Sequence, residues 1–158
     1  MSLLDDLHHI CIEKGVSIAV AESCTSGKIA SKLTSLSGSS FYFKGGIVAY
    51  QNEIKINYLG VSQLDIDTKT EVSIEVVKQM AKSVLEKFNV DFSVATSGYA
   101  GPTGGTVNNP IGTVFIAVSS FGTAKVERFV FSGDRQSIVS QATESALELL
   151  YCAVKKQQ

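Results

Sequence analysis

The run Ser17-Ile-Ala-Val-Ala21, closed by Glu22, constrains the fold more than any other stretch of the chain. Odd and even positions alike are apolar, so a strand made from it is apolar on both faces. Such a strand belongs in the middle of a sheet, with helices covering both sides. It leads into Glu22-Ser-Cys-Thr-Ser-Gly27 and then into a helix-like run, Lys28-Ile-Ala-Ser-Lys-Leu33. The unit reads as strand, tight turn and helix start. Such a junction gathers hydroxyls and unpaired backbone N–H groups at one point, which suits a nucleophile or an anion.

Local signals supply the remaining elements. Ser2 and Asp5 have the spacing of a capping box and open a helix to about Lys14, which Gly15 ends. Residues 26–35 are expected to form the second helix, and Ser37-Gly-Ser-Ser40 a turn. Phe41 to Tyr50 reads as extended chain, weakened or bent at Gly45-Gly46. Asn52 is expected to cap a short helix, Glu53 to Leu59, stopped by Gly60. Ser73 caps the clearest helix, with Ile74, Val77, Ala81, Val84, Leu85 and Phe88 on one stripe. Strands follow at 92–96, 111–119 and 125–131, the last two in succession as for a hairpin. Asp134 caps a long C-terminal helix. The alternation predicts a single domain, a three-layer α/β/α sandwich with a mixed, largely parallel central sheet. Ligands of such sheets sit beyond the carboxyl ends of strands. The Ser23 turn and the glycine-rich loop Ser97-Gly-Tyr-Ala-Gly-Pro-Thr-Gly-Gly105 both fall there.

Composition excludes several classes. The net charge is -1 with no basic cluster, which argues against nucleic acid as a partner. No apolar run approaches the ~18 residues that would span a bilayer, and the acidic start lacks a signal-peptide pattern. Cys11, Cys24 and Cys152 have neither CxxC nor metal spacing and read as reduced thiols of a cytoplasmic protein. No His/Cys/carboxylate cluster has ligand spacing, so neither metal nor cofactor is expected. Apolar surface on the helices points to a homodimer.

The residues themselves leave the chemistry open. Ser23 is a nucleophile or simply a turn and cap residue. The only histidines, His8 and His9, lie in the first helix, remote from the Ser23 turn, which argues against a Ser-His-Asp triad. Lys55 is a base if burial lowers its pKa, or a solvated lysine on a short helix. Tyr50, five residues earlier, could hydrogen-bond either partner. Cys24 is a rival nucleophile, but free cysteines are commonly small buried hydrophobes. Backbone N–H groups from Cys24 to Gly27 could serve as oxyanion donors. Glu22 orients Lys55 or is a structural partner. Gly98, Gly101, Gly104 and Gly105 let backbone approach a ligand closely, or merely loosen a loop. Arg135, at a helix start, is a surface cation or waits for an anion that relieves its conflict with the helix dipole.

The motifs Ala-Glu-Ser-Cys-Thr-Ser-Gly (21–27), the stretch from Gly38 to Val61, the loop 96–105, Asn109 to Val118 and Ser132-Gly-Asp-Arg135 together resemble the CinA C-terminal-domain family, the nicotinamide mononucleotide amidases. The similarity runs from about Ser17 to Leu150 and is to the stand-alone form, without the extra N-terminal domain of longer relatives. It implies an α/β/α fold and hydrolysis of the carboxamide of a small-molecule substrate, nicotinamide mononucleotide, to nicotinic acid mononucleotide and ammonia. It implies Ser23 as nucleophile and Lys55 as base, with Tyr50 beside them. Thr25, Ser26, Gly27, Thr96, Ser97, Gly98, Gly101, Gly104 and Gly105 would contact substrate, and Arg135 would face an anionic group. Two departures stand out: Ser26 replaces the first of two usual glycines, and no further arginine follows Arg135 closely. They motivate an alternative, an inactive nucleotide-binding or protein-interaction module on the same fold. A phosphate-transferring enzyme fits less well, for want of a Walker lysine pattern.

Overall fold

The strand read as central is central. In the computed structural model, which describes residues 1–157, β1 (Ile18–Glu22) is buried at every position. β2 (Phe43–Val48) and β3 (Phe92–Gly98) flank it, both parallel. β4 (Thr113–Ser120) and β5 (Thr123–Val130) complete the order β2-β1-β3-β4-β5. β4 runs antiparallel to both neighbours, so it alone opposes the common direction, and β4–β5 is the expected hairpin.

Among the described residues six helices surround the sheet: α1 (Leu3–Lys14), α2 (Lys28–Leu33), α3 (Asn52–Leu59), α4 (Gln63–Lys69), α5 (Ile74–Phe88) and α6 (Arg135–Lys156). The first two and α6 pack on one face, α3 to α5 on the other. Side chains alternate between faces along a strand. Ile18, Val20, Val94, Val114 and Ile116 therefore meet α1 and α6, while Ala19, Ala21, Ala95 and Ala117 meet α5. Against these alanines α5 supplies the bulk, with Val76, Val77, Met80 and Val84 fully buried. Each buried aliphatic of that size stabilises by about 1.5–3 kcal/mol.

From β1 the chain crosses by α2 to β2, then returns over α3–α5 to β3 on the other side of β1. Right-handed crossovers in opposite directions put α2 and α5 on opposite faces. The strand order thus reverses at β1. A crevice opens beyond the carboxyl ends of β1 and β3, where ligands bind in sheets of this kind.

Several boundaries differ from the sequence reading. α2 starts at Lys28 rather than residue 26, because Ser26 (φ 46°) and Gly27 (φ 96°) are left-handed and cannot be helical. Ser39–Phe41 is a single 3₁₀ turn, which shortens β2. Gly46 is required by close approach: a Cβ there would lie 2.4 Å from the Val20 side chain and carbonyl oxygen. Asn52 is the first residue of α3 and not its cap; Gln51 holds the cap position without a side-chain bond. The helix α4, capped by Ser62, went unanticipated because Ile66 is its only buried residue and leaves no readable period. Ile74 lies off the α5 stripe, 51% exposed. Among the described residues no helix is long and apolar enough to cross a membrane.

Candidate active site

The nucleophile candidate sits on a braced turn. Gly27, at the N-cap of α2, has no side chain with which to hold the first helical N–H groups. Glu22 does so instead, from the end of β1. Its carboxylate accepts from Ile29 N–H and Ala30 N–H, both at 3.0 Å, and from the Thr25 hydroxyl at 2.6 Å. A negative charge here also suits the helix dipole. This settles the choice left open for Glu22: it caps α2 and does not touch Lys55. Thr25 Oγ1 lies 2.8 Å from Thr96 Oγ1, and Ser23 N–H donates to the Thr96 carbonyl at 3.1 Å. The turn is therefore fastened to both β3 and α2.

On this base Ser23 is 8% exposed, and its Oγ faces the crevice without a hydrogen-bond partner among the described residues. Of the expected oxyanion donors, Ser26 N–H is taken by the Ser23 carbonyl at 3.0 Å. The N–H groups of Cys24, Thr25 and Gly27 have no backbone partner among the described residues. The neighbouring Cys24 thiol is buried, and burial pushes its pKa up to about 12, so it stays protonated at neutral pH. A protonated thiol is a weak nucleophile, which leaves Ser23 the stronger candidate.

Lys55 is not a solvated lysine. It lies on the inner side of α3 and is 1% exposed. Its Nζ donates to the Tyr50 carbonyl at 3.1 Å, its one hydrogen bond, which leaves two N–H bonds unused. Burial pushes its pKa below the usual lysine range; the charge of Glu71 acts in the opposite sense without cancelling the effect. Ser23 and Lys55 line the same cleft, of about 450 Å³, with no hydrogen bond joining them. Catalytic contacts of this kind tighten when substrate enters.

Tyr50 was expected to bring its hydroxyl to this pair. The structure uses its carbonyl there, while its hydroxyl accepts from Arg135 at 2.6 Å. Arg135, the first residue of α6, also donates to the Gly101 carbonyl at 2.7 Å. The guanidinium thus ties α6, the segment before α3 and the glycine-rich loop together at the mouth of the cleft. Ser97, Gly98 and Gly101 line the cleft. The Ser97 hydroxyl, however, is spent on the Glu71 carbonyl at 2.7 Å.

Other expected contacts lie outside the cleft lining. Thr25 and Thr96 are fully buried and support the turn from behind. Ser26 is exposed, and Gly27 faces Val48. Gly104 and Gly105 turn back on Tyr99 and Ile111, because their positive φ angles serve the loop's own folding. His8 pairs with the Tyr42 hydroxyl at 2.9 Å, remote from the cleft. Sequence reasoning missed Glu71, which precedes α5 and lines the cleft, and Asn52, Tyr99 and Thr103 beside it. A lone glutamate just before the Ser73 cap gave no motif to read. Among the described residues no three His, Cys, Asp or Glu side chains gather where they could hold a metal ion.

Known proteins share this architecture. The family described as CinA C-terminal domain matches residues 1–154. A CinA-like protein of Flavobacterium psychrophilum is 45% identical over 150 residues, covering 95% of this chain and 36% of the relative. The chain therefore spans little more than a third of that curated relative's length. The crystal structure of competence damage-inducible protein A from Klebsiella pneumoniae superposes with a TM-score of 0.95 at 31% identity, covering 99% of this chain and 97% of that one. A competence/damage inducible protein from Agrobacterium tumefaciens gives 0.90 at 32% identity, covering 99% and 98%. A match along nearly the whole sequence, joined to the same fold in solved relatives, leaves one conclusion: the chain belongs to the CinA C-terminal domain family.

Proposed function

We propose that the chain is an amidohydrolase that converts nicotinamide mononucleotide to nicotinic acid mononucleotide and ammonia. The observation that carries this reading is the pairing, in one cleft, of an unbonded serine hydroxyl with a buried lysine whose ammonium form is disfavoured. An amide is a poor electrophile, so its hydrolysis needs an activated nucleophile and stabilisation of the oxyanion. The family resemblance supplies the substrate. A cleft of about 450 Å³ suits a mononucleotide-sized ligand, and the Arg135 guanidinium at its mouth suits a phosphate.

In this mechanism neutral Lys55 takes the proton of Ser23 Oγ as that oxygen attacks the carboxamide carbon. The carbonyl oxygen becomes an oxyanion facing the N–H groups of Cys24 and Thr25. When the C–N bond breaks, Lys55 returns its proton to the leaving nitrogen and ammonia departs. Water, deprotonated by Lys55, then attacks the Ser23 ester. The tetrahedral intermediate collapses, Lys55 returns its proton to the Ser23 oxygen, and the carboxylic acid leaves and ionises, its proton taken up by the ammonia released earlier. Burial of Lys55 and the absence of a carboxylate on Nζ both keep the amine free at lower pH.

The purified chain, incubated with nicotinamide mononucleotide and assayed for ammonia, is expected to release it, and Ser23→Ala to abolish that release. Undiminished activity in Ser23→Ala would falsify the nucleophile. Calorimetric binding of the nucleotide with no ammonia from the unmodified chain would instead mark a binding module.

A further inference from the structure

We infer that Glu71, held over the cleft by the strained segment Thr70–Ser73, is a positioning residue that supplies the counter-charge for Lys55. This rests on the roles of Ser23 and Lys55 proposed above.

The segment joins α4 to α5. Thr70 has φ 69° and ψ 166°, a region that β-branched residues almost never occupy. Such a conformation persists only where its surroundings enforce it. Here they do. The Ser97 hydroxyl, from the end of β3, donates to the Glu71 carbonyl at 2.7 Å, and Asn109 Nδ2 donates to the Val72 carbonyl at 3.3 Å. Ser73 Oγ donates to the Thr70 carbonyl at 3.0 Å. Asn109 is itself fixed, its Oδ1 accepting from Arg128 Nε at 3.2 Å. These clamps hold the backbone on both sides of Glu71, while its carboxylate has no hydrogen-bond or ion-pair partner among the described residues and lines the cleft. A clamped backbone carrying an uncommitted acid beside a buried amine is what a fixed counter-charge requires.

Glu71 acts through space. Its carboxylate makes no hydrogen bond to Nζ, so the amine remains free to turn to Ser23. Five other ionisable or charged groups bear on Lys55 or on its cleft. They are the Cys24 thiol from the β1–α2 turn, Glu22 behind that turn, the Tyr50 hydroxyl, the Tyr99 hydroxyl from the loop after β3, and Arg135 from α6. Glu22 is committed to α2, and Arg135 to Tyr50 and Gly101. Glu71 is therefore the acid at the cleft free to steady the ammonium that forms when Lys55 takes the serine proton.

The test titrates Lys55 directly. Its side-chain amine resonance, identified by its loss in Lys55→Met, is followed against pH in the unmodified chain and in Glu71→Gln. The midpoint is expected to fall by about one pH unit in Glu71→Gln, and the acid limb of kcat/KM for ammonia release to move down with it. Glu71→Asp, which keeps the charge, is expected to restore most of the shift. A midpoint that stays put in a folded Glu71→Gln overturns the assignment. Should Glu71→Gln fail to fold, Ser97→Ala loosens the clamp and is expected to lower the midpoint by a smaller step; no movement there overturns it as well. If the unmodified chain releases no ammonia while the midpoint still moves, the amidase reading falls and the Glu71 assignment stands.

Discussion

The two ends of the sheet each carry a hollow, and the larger one is not the one that holds Ser23 and Lys55. Beyond the amino end of β3, about 700 Å³ lies between the β4–β5 turn and the end of α6, lined by Asp91, Phe121, Lys125, Leu149 and Cys152 among others. Two of its charges, Asp91 and Lys125, are already engaged. Asp91 accepts from the Ser17 N–H at 2.8 Å and from its hydroxyl at 3.1 Å, and Lys125 pairs with Glu127 at 3.2 Å. The smaller cleft holds the groups with unspent valence: Ser23 Oγ, two N–H bonds of Lys55 and the Glu71 carboxylate. Volume records only where the elements fail to meet. Unspent hydrogen-bonding capacity, and not volume, is what distinguishes this end as the candidate site.

The contrast breaks if substitutions at the two ends behave alike. Lys55→Met carries the largest expected effect, a fall of about 10³-fold in kcat/KM for ammonia release. The same change removes a disfavoured buried amine and is expected to raise stability by about 1 kcal/mol at neutral pH. The sign follows from proton binding. Folded Lys55 holds its proton less tightly than the unfolded chain does, so between the lowered folded value and the ordinary one the unfolded state binds more protons. Stability of the unmodified chain therefore rises with pH across that window, and in Lys55→Met that rise is missing. Urea midpoints over a pH series read this directly. Arg135→Ala comes next. Loss of the guanidinium at the mouth is expected to raise KM for the nucleotide about tenfold with little change in kcat, by initial rates. Phe121→Ser, at the far hollow, is the control and is expected to leave all of these parameters alone. The smallest effect is at Ser26. Glycine relieves its left-handed backbone (φ 46°), and Ser26→Gly is expected to raise the melting temperature by about 1–2 °C in calorimetry.

The sandwich was legible because its signals are local and redundant. A strand apolar on both faces, capped helices and a closing hairpin each carry their own pattern. The Ser23 turn was legible for the same reason. What stayed hidden depends on pairing across the chain. Glu22 caps a helix starting six residues later, a role invisible until Gly27 is seen to lack a cap of its own. Thr25 and Thr96 carry residue types that suit a site, yet they bond one another beneath it. Glu71 enters the cleft only because Ser97 and Asn109 hold the segment around it. The helix α4 escaped because one buried isoleucine makes no period. The glycines of the loop divided by geometry, two reaching the cleft and two serving the loop, a distinction no composition rule contains.

An ordinary lysine in water is so firmly protonated that fewer than about one in a thousand is free amine at neutral pH. The enclosure of Lys55 by α3 and the sheet is what raises that fraction. A nascent chain leaving the ribosome therefore carries an inert alcohol and an inert ammonium, from two strand exits not yet brought together. Under the proposed mechanism the two become a reactive pair only once α3 and the sheet enclose the amine.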